Sequence, residues 1–333
     1  MGLKEWIEYA LARGASDIHV GSGVSPALRV SGRLEFIPST PVPAQAILGM
    51  VEELVPSVDR RGWARDDEMD FSCSMADFVR IRGHLYRTHQ GWSLALRLLP
   101  ARVPSLVDLH LPAWFEMLAN QPGLVVVTGP TGSGKSSTLA ALVHCVNQAH
   151  PWHIVTIEDP IEFVHDPVQA RIDQREVGTH TRDFTSGLRT ALRQDPDVIL
   201  IGELRDVSTM EVALTAAETG HLVLTTMHTG DAVQTVERIL GSLDQGRDMV
   251  RWQLASVLRA VVAQRLLRAR AGGLIPALEV LVNTPAVTNL IRTGQTHQLR
   301  SVMQTGRVHG MQTFAAHIQQ LLDGGLIESS PSL

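Results

Sequence analysis

The sequence predicts an α/β chain in which a parallel-type central sheet is covered by helices and preceded by a smaller α+β domain. Three observations predict it. From about residue 107, short apolar, β-branched runs alternate with helical stretches. A glycine-rich loop joins the first of these runs directly to a helix. The first hundred residues instead carry short alternating segments separated by glycine turns.

In chain order, residues 1–100 form the predicted α+β domain. An amphipathic helix over Leu3–Arg13 ends at Gly14. Strands are predicted at Asp17–Val20, Ala27–Val30 and Arg33–Phe36, with turns at Gly21-Ser22-Gly23 and Ser31-Gly32. A helix over Ala44–Leu54 follows, then strands at Met69–Cys73, Phe78–His84 and Leu94–Leu98. Pro100 and Pro104 punctuate a linker at 101–106, and residues 107–333 form the second domain. Its predicted strands are Leu124–Thr128, His153–Ile157, Val198–Gly202 and Leu222–Thr226. After about 230 the pattern reads as helical, over Ala232–Leu240, Met249–Arg268, Pro285–Arg292 and Gln312–Asp323.

A chain of 333 residues is long for a single core, which agrees with two domains. A net charge of −5 gives no global electrostatic case for nucleic acid or anionic membrane as the main partner. Two cysteines, Cys73 and Cys145, are too few for a four-cysteine zinc site and read as reduced thiols. No apolar stretch reaches the ~20 residues needed to span a bilayer, and no signal-peptide pattern opens the chain, so the expectation is a cytoplasmic protein.

Chemistry concentrates at four strand ends. Gly129, Pro130, Thr131, Gly132, Ser133, Gly134, Lys135 and Ser136 complete the phosphate-binding pattern G-x-x-x-x-G-K-[ST], and Ser137 continues into the helix. The glycines let backbone N–H groups wrap a polyphosphate at the positive end of that helix. Lys135 can reach the β- and γ-phosphates, and the Ser136 hydroxyl can ligate Mg²⁺. The context therefore predicts binding of a nucleoside triphosphate and leaves its base open; ATP is what the resemblance given below implies. Glu158, Asp159 and Glu162 follow the second strand, where open α/β sheets bind their ligands. Glu203 ends the third and is a candidate to hold Mg²⁺, directly or through water. His221 and His228 bracket the fourth. Each has a plainer reading: Glu158 and Asp159 as a turn before Pro160, Glu203 paired with Arg205, and the histidines as satisfied packing groups.

Together these segments resemble the secretion-ATPase superfamily that powers type II secretion and type IV pili, and in detail its twitching-motility, pilus-retraction branch. TIEDPIEF at 156–163 is similar to that family's aspartate box. ALRQDPDVILIGELRD at 191–206 is similar to its second nucleotide motif, and AAETGHLVLTTMHT at 216–229 to its histidine box. GASDIHV at 14–20, RVSGRL at 29–34 and TPAVTNLIR at 284–292 extend the resemblance over nearly the whole chain. The resemblance implies a RecA-like ATPase core behind a PAS-like N-terminal domain, assembled as a homo-hexamer. It implies an inner-membrane pilus platform protein as partner and peripheral membrane association through that partner. It implies Glu162 as catalytic base supported by Glu203, His228 and His221 at the histidine-box positions, and Arg82 and Arg97 approaching the nucleotide from the N-terminal domain. Two departures stand out. Gln90-Gly91 lacks the arginine of a QNRG-like segment, and Ala286 to Thr293 reads AVTNLIRT where retraction ATPases carry AIRNLIRE.

Other readings are an extension or secretion ATPase of the same superfamily, a divergent paralogue, and a nucleotide-gated scaffold without turnover. The extension branch carries a four-cysteine zinc module and a longer N-terminus. From a different class comes a motor on nucleic acid. Arg251, Arg259, Arg265, Arg268 and Arg270 could form its basic track, but Trp252 alone supplies the aromatic surface such a track needs, so no nucleic-acid partner is expected.

Overall fold

Alternation along the N-terminal strands decides the first unit. In Val79–Thr88 every second residue is buried, and this period places Val79, Ile81 and Leu85 on one face and Arg80, Arg82 and His84 on the other. The computed structural model describes residues 2–30, 32–55, 68–75, 79–100, 102–242 and 247–328, and divides the chain into Met1–Arg102 and Val103–Leu333. Phe78 and Ser31, named in the predicted strand and turn, lie outside the described residues.

The first unit runs α1 (Leu3–Ala12), β1 (Ala15–Gly21), β2 (Ala27–Val30), β3 (Arg33–Phe36), α2 (Ala44–Leu54), β4 (Glu68–Met75), β5 (Val79–Thr88) and β6 (Gly91–Pro100). Its sheet is antiparallel, in the order β3-β2-β1-β6-β5-β4. Leu3, Trp6 and Ile7 of α1 and Ile47 and Val51 of α2 join Ile18, Leu28, Ile81, Leu94 and Leu96 in one core.

The second unit contains a 3₁₀ helix (Ala113–Ala119), β7 (Gly123–Thr128), α3 (Lys135–Ala149), β8 (His153–Glu158), β9 (Arg171–Glu176), α4 (Phe184–Ala191) and β10 (Val198–Ile201). It continues with α5 (Val207–Glu218), β11 (Leu222–Met227), α6 (Ala232–Ser242), α7 (Arg247–Val257), β12 (Leu258–Arg268) and β13 (Leu274–Val282). The last helices are α8 (Pro285–Arg292), α9 (Leu299–Thr305) and α10 (Phe314–Asp323). The sheet order is β13-β12-β7-β11-β10-β8-β9. It is parallel except for β13, which runs antiparallel to β12 at the edge. One core packs α4, α5 and α6 against one face, and the other packs α3 and Phe115 against the opposite face.

Two sequence expectations change here. The helix expected over Met249–Arg268 ends at Val257, and Leu258–Arg268 is a strand between β7 and β13. Most of that strand is buried on both faces, so its apolar run lacks the alternation that would separate strand from helix. Strands β9 and β13 were not anticipated. β9 reads Arg171-Ile-Asp-Gln-Arg-Glu176, a half-exposed edge with too little apolar character to stand out.

Candidate nucleotide site

All six residues of β7 are buried, so the chain leaves the sheet at Thr128 as a rigid strand and turns at once through residues 129–134. Gly129 must be glycine. Its φ is 147°, and a Cβ there would lie 2.3 Å from the Gln264 carbonyl oxygen. Gly134, at φ 85°, is the N-cap of α3, so the loop feeds its backbone N–H groups into the helix start. Lys135 opens that helix, and its Nζ donates to the Gly129 and Pro130 carbonyls, each at 2.9 Å, folding the side chain back over the loop. Ser133 Oγ is buried with no hydrogen-bond partner among the described residues. A glycine cradle lined by N–H groups, a lysine and an unsatisfied hydroxyl suits phosphate oxygens.

Both acidic motifs reach this lysine. Burial lowers the Lys135 pKa, and the charges of Glu203 and Glu162 act against that shift. Glu203 follows β10 and is held by the Arg205 guanidinium and by the imidazole of His228, whose Nε2 is 3.2 Å away. Its turn is tied to β11, because Thr226 Oγ1 donates to the Gly202 carbonyl at 2.6 Å and Leu204 N–H to the Thr226 carbonyl at 3.0 Å. Glu162 lies in the segment after β8, between buried Ile161 and Phe163. Edge strand β9 secures that segment: Gln174 donates to the Phe163 carbonyl and accepts from His165 N–H, and Glu176 accepts from Ile161 N–H.

Glu158 has a different character. Burial pushes its carboxyl up to about 7, against the pull of hydrogen bonds from Thr156 and Gln174. Its folded value lies above the ordinary 4.5, so the folded chain binds the extra proton between those two values. The associated stability is full below about pH 4.5 and is lost as pH rises through about 7. Glu158→Gln keeps the acceptor oxygen and removes the titration. Its unfolding free energy, measured by urea titration, should therefore gain on the wild type from pH 5 to pH 8, by at most on the order of 3 kcal/mol. Parallel pH profiles would contradict this.

A phosphate loop thus leaves the carboxyl end of a buried parallel strand, with two acidic motifs after the carboxyl ends of strands in the same sheet. Residues 2–322 match the family described as Type II/IV secretion system protein. The chain belongs to that family. It is 46% identical to the uncharacterized protein YggR of Escherichia coli K12, covering 98% of this chain and 99% of that one. It is 39% identical to the type IV pilus retraction ATPase PilT of Pseudomonas aeruginosa, covering 98% and 96%. The structure matches the crystal structure of the pilus retraction motor PilT with bound ADP at a TM-score of 0.90 and 38% identity, covering 98% of this chain and 95% of that chain. The family's ATPase architecture thus accounts for both units of the sequence.

Within this family member, several candidates lie where the sequence put them. The loop residues, Ser136, Glu158, Glu162, Glu203 and His228 all sit at the carboxyl ends of β7, β8, β10 and β11. Asp159 is exposed beside them. His221 is a correction. It precedes β11, so it lies at the amino end of the sheet, roughly 20 Å of strand from the loop. There its Nδ1 contacts the Ala216 carbonyl at 2.8 Å and Thr219 Oγ1 at 3.1 Å, the satisfied packing role. Arg82 and Arg97 belong to the first unit, facing each other across β5 and β6, with Arg97 Nε 3.0 Å from Asp17.

Sequence reading missed Gln264. From β12 its Nε2 donates to the Ser133 carbonyl at 2.7 Å and its Oε1 accepts from Thr138 Oγ1 at 2.8 Å, bracing the loop to α3. The available signal was an amide set inside an apolar run, Val261-Val-Ala-Gln-Arg-Leu-Leu267. Gln174 on β9 escaped notice for the same reason, since its contacts exist only once the strands pair.

Proposed function

We propose that this chain is an ATP-hydrolysing motor that works as a homo-hexamer, bound to an inner-membrane pilus platform protein, and drives pilus retraction. The observation that carries the reading is the placement of the phosphate loop, Glu162 and Glu203 after the carboxyl ends of β7, β8 and β10 in one parallel sheet, which gathers three separate motifs on one edge. The relatives named for pilus retraction support the mechanical output.

In this reading the loop N–H groups and Lys135 hold the β- and γ-phosphates. Glu162 accepts the proton of the water that attacks the γ-phosphorus, and ADP leaves as the β,γ-bridging bond breaks. Glu203, held by Arg205 and His228, keeps a fixed negative charge beside Lys135. Mg²⁺ supplies charge neutralisation on the phosphates when bound. Ser136 and Glu203, the latter through water, are the residues that would hold it. The donor set fits: Mg²⁺ bound with ATP needs only one or two protein oxygens beside phosphate and water, and a hydroxyl and a carboxylate supply them.

Arg97 is proposed to neutralise charge on the transferred phosphoryl group, with Arg82 beside it. Its side chain is 61% exposed despite the contact with Asp17, so it is available to a ligand. Arg97→Ala should lower ATP turnover about 10-fold or more while ADP affinity stays within about twofold. Wild-type turnover would remove Arg97 from the site. At the third position of the AVTNLIRT segment, where AIRNLIRE carries arginine, the Thr288 hydroxyl bonds Asn283 at 3.0 Å, turned into its own fold. That favours a divergent paralogue with the same ATP chemistry and a modified mechanical contact as the second reading. Deleting the gene separates them: retraction predicts pili that are present and do not retract, whereas normal retraction leaves the paralogue.

No helix among the described residues is long and apolar enough to cross a membrane. Cytoplasmic placement, with attachment through the platform protein, is part of the proposal.

A further inference from the structure

Thr128 closes β7 immediately before the phosphate loop, and Thr229 immediately follows His228. Their hydroxyl oxygens are 2.6 Å apart, and Thr229 N–H donates to Thr128 Oγ1 at 3.0 Å. The chain of hydroxyls continues. Thr229 Oγ1 lies 2.6 Å from Thr235 Oγ1 on α6, and Thr235 donates to the Asp231 carbonyl at 2.8 Å. Each hydroxyl has one proton. With the Thr235 proton on the Asp231 carbonyl, donation from Thr229 to Thr235 and from Thr128 to Thr229 gives every hydroxyl in the chain a partner. Thr128 Oγ1 also has the Met227 and Thr229 carbonyls at 3.1 and 3.0 Å, both longer than its contact with the Thr229 hydroxyl. The hydroxyl chain thus links the strand bearing the phosphate loop to the first turn of α6.

His228 sits inside this fastening. On one side Thr226 is bonded to Gly202, the residue before Glu203, and on the other Thr229 is bonded to Thr128, the residue before Gly129. The imidazole that meets Glu203 is thus carried on a two-residue span anchored to both nucleotide motifs. Thr128 and Thr235 are fully buried, so these hydroxyls have no water to replace a lost partner.

We propose that Thr229 is a positioning residue for hydrolysis, which locks the His228 turn to the strand of the phosphate loop and so holds the Glu203–His228 pair in register with the bound triphosphate. The inference rests on the reading that His228 and Glu203 act at the nucleotide. A purely structural hydroxyl would alter stability and leave the rate of the folded enzyme unchanged.

The experiment compares steady-state ATP hydrolysis and ADP affinity in the full chain for Thr229→Val, Thr229→Ser, His228→Ala and the Thr229→Val/His228→Ala pair. Thr229→Val should lower kcat about 10-fold or more, with KM for ATP and ADP affinity within about twofold, because the loop itself is intact. Thr229→Ser, which keeps the hydroxyl, should recover most of the rate. The double variant should be no slower than His228→Ala alone, since Thr229 acts through that residue. Thr128→Val breaks the same contact from the loop side and should give the same split, which keeps the test open if Thr229→Val folds poorly. Wild-type kcat in Thr229→Val or Thr128→Val, or rate losses that multiply fully in the double variant, would overturn the inference while leaving the nucleotide-site reading intact. Wild-type kcat in His228→Ala would overturn both.

Discussion

Lys135→Ala should abolish tight binding of nucleoside triphosphate and, with it, hydrolysis. The ammonium lies over the loop, bonded to the carbonyls of Gly129 and Pro130, and is the loop's single full positive charge. Two charge-assisted contacts to phosphate, at roughly 1.5–3 kcal/mol each, correspond to an affinity loss of about 100-fold or more. The substitution also removes the positive charge that acts against those of Glu162 and Glu203, which adds repulsion toward an incoming polyanion. Titration of a fluorescent ATP analogue into wild type and variant, with matched circular dichroism, checks this. Unchanged affinity would remove the loop from the site.

Glu162→Ala should separate binding from turnover. The carboxylate lies near Lys135 without belonging to the loop, and its backbone segment is secured independently by Gln174 and Glu176. Truncating the side chain therefore leaves the phosphate cradle in place. Loss of a positioned general base costs about 10²- to 10⁴-fold in rate. ATP affinity should stay within a few-fold, or rise slightly as negative charge leaves the site. A scaffold gated by nucleotide predicts no change in a rate that is already negligible, so the wild-type rate is the necessary reference.

The parts legible in the sequence were the local ones. Residues 124–144 spell strand, loop and helix in one continuous stretch, and the positions of Glu162 and Glu203 follow from strand ends read the same way. The Glu203–Arg205 contact was visible as a two-residue spacing, whereas the approach of His228 required β10 and β11 to pair. What escaped depends on long-range pairing. Gln264 braces the loop only because β12 lies beside β7, and the strand identity of 258–268 is set by neighbours that bury both its faces. Thr128 and Thr229 are 101 residues apart and meet through β7–β11 register. The place of His221 is legible from strand direction, because a residue preceding a strand that runs parallel to β7 lies at the opposite end from the loop.

In the proposed function, ATP is hydrolysed at one site built on Lys135, Glu162 and Glu203. The most direct measurement is phosphate release from ATP by the purified chain in Mg²⁺, run beside nucleotide binding for wild type, Lys135→Ala and Glu162→Ala. Turnover is expected in the wild type alone, with binding retained in Glu162→Ala and lost in Lys135→Ala. Wild-type turnover in Glu162→Ala, or in Lys135→Ala, would contradict it.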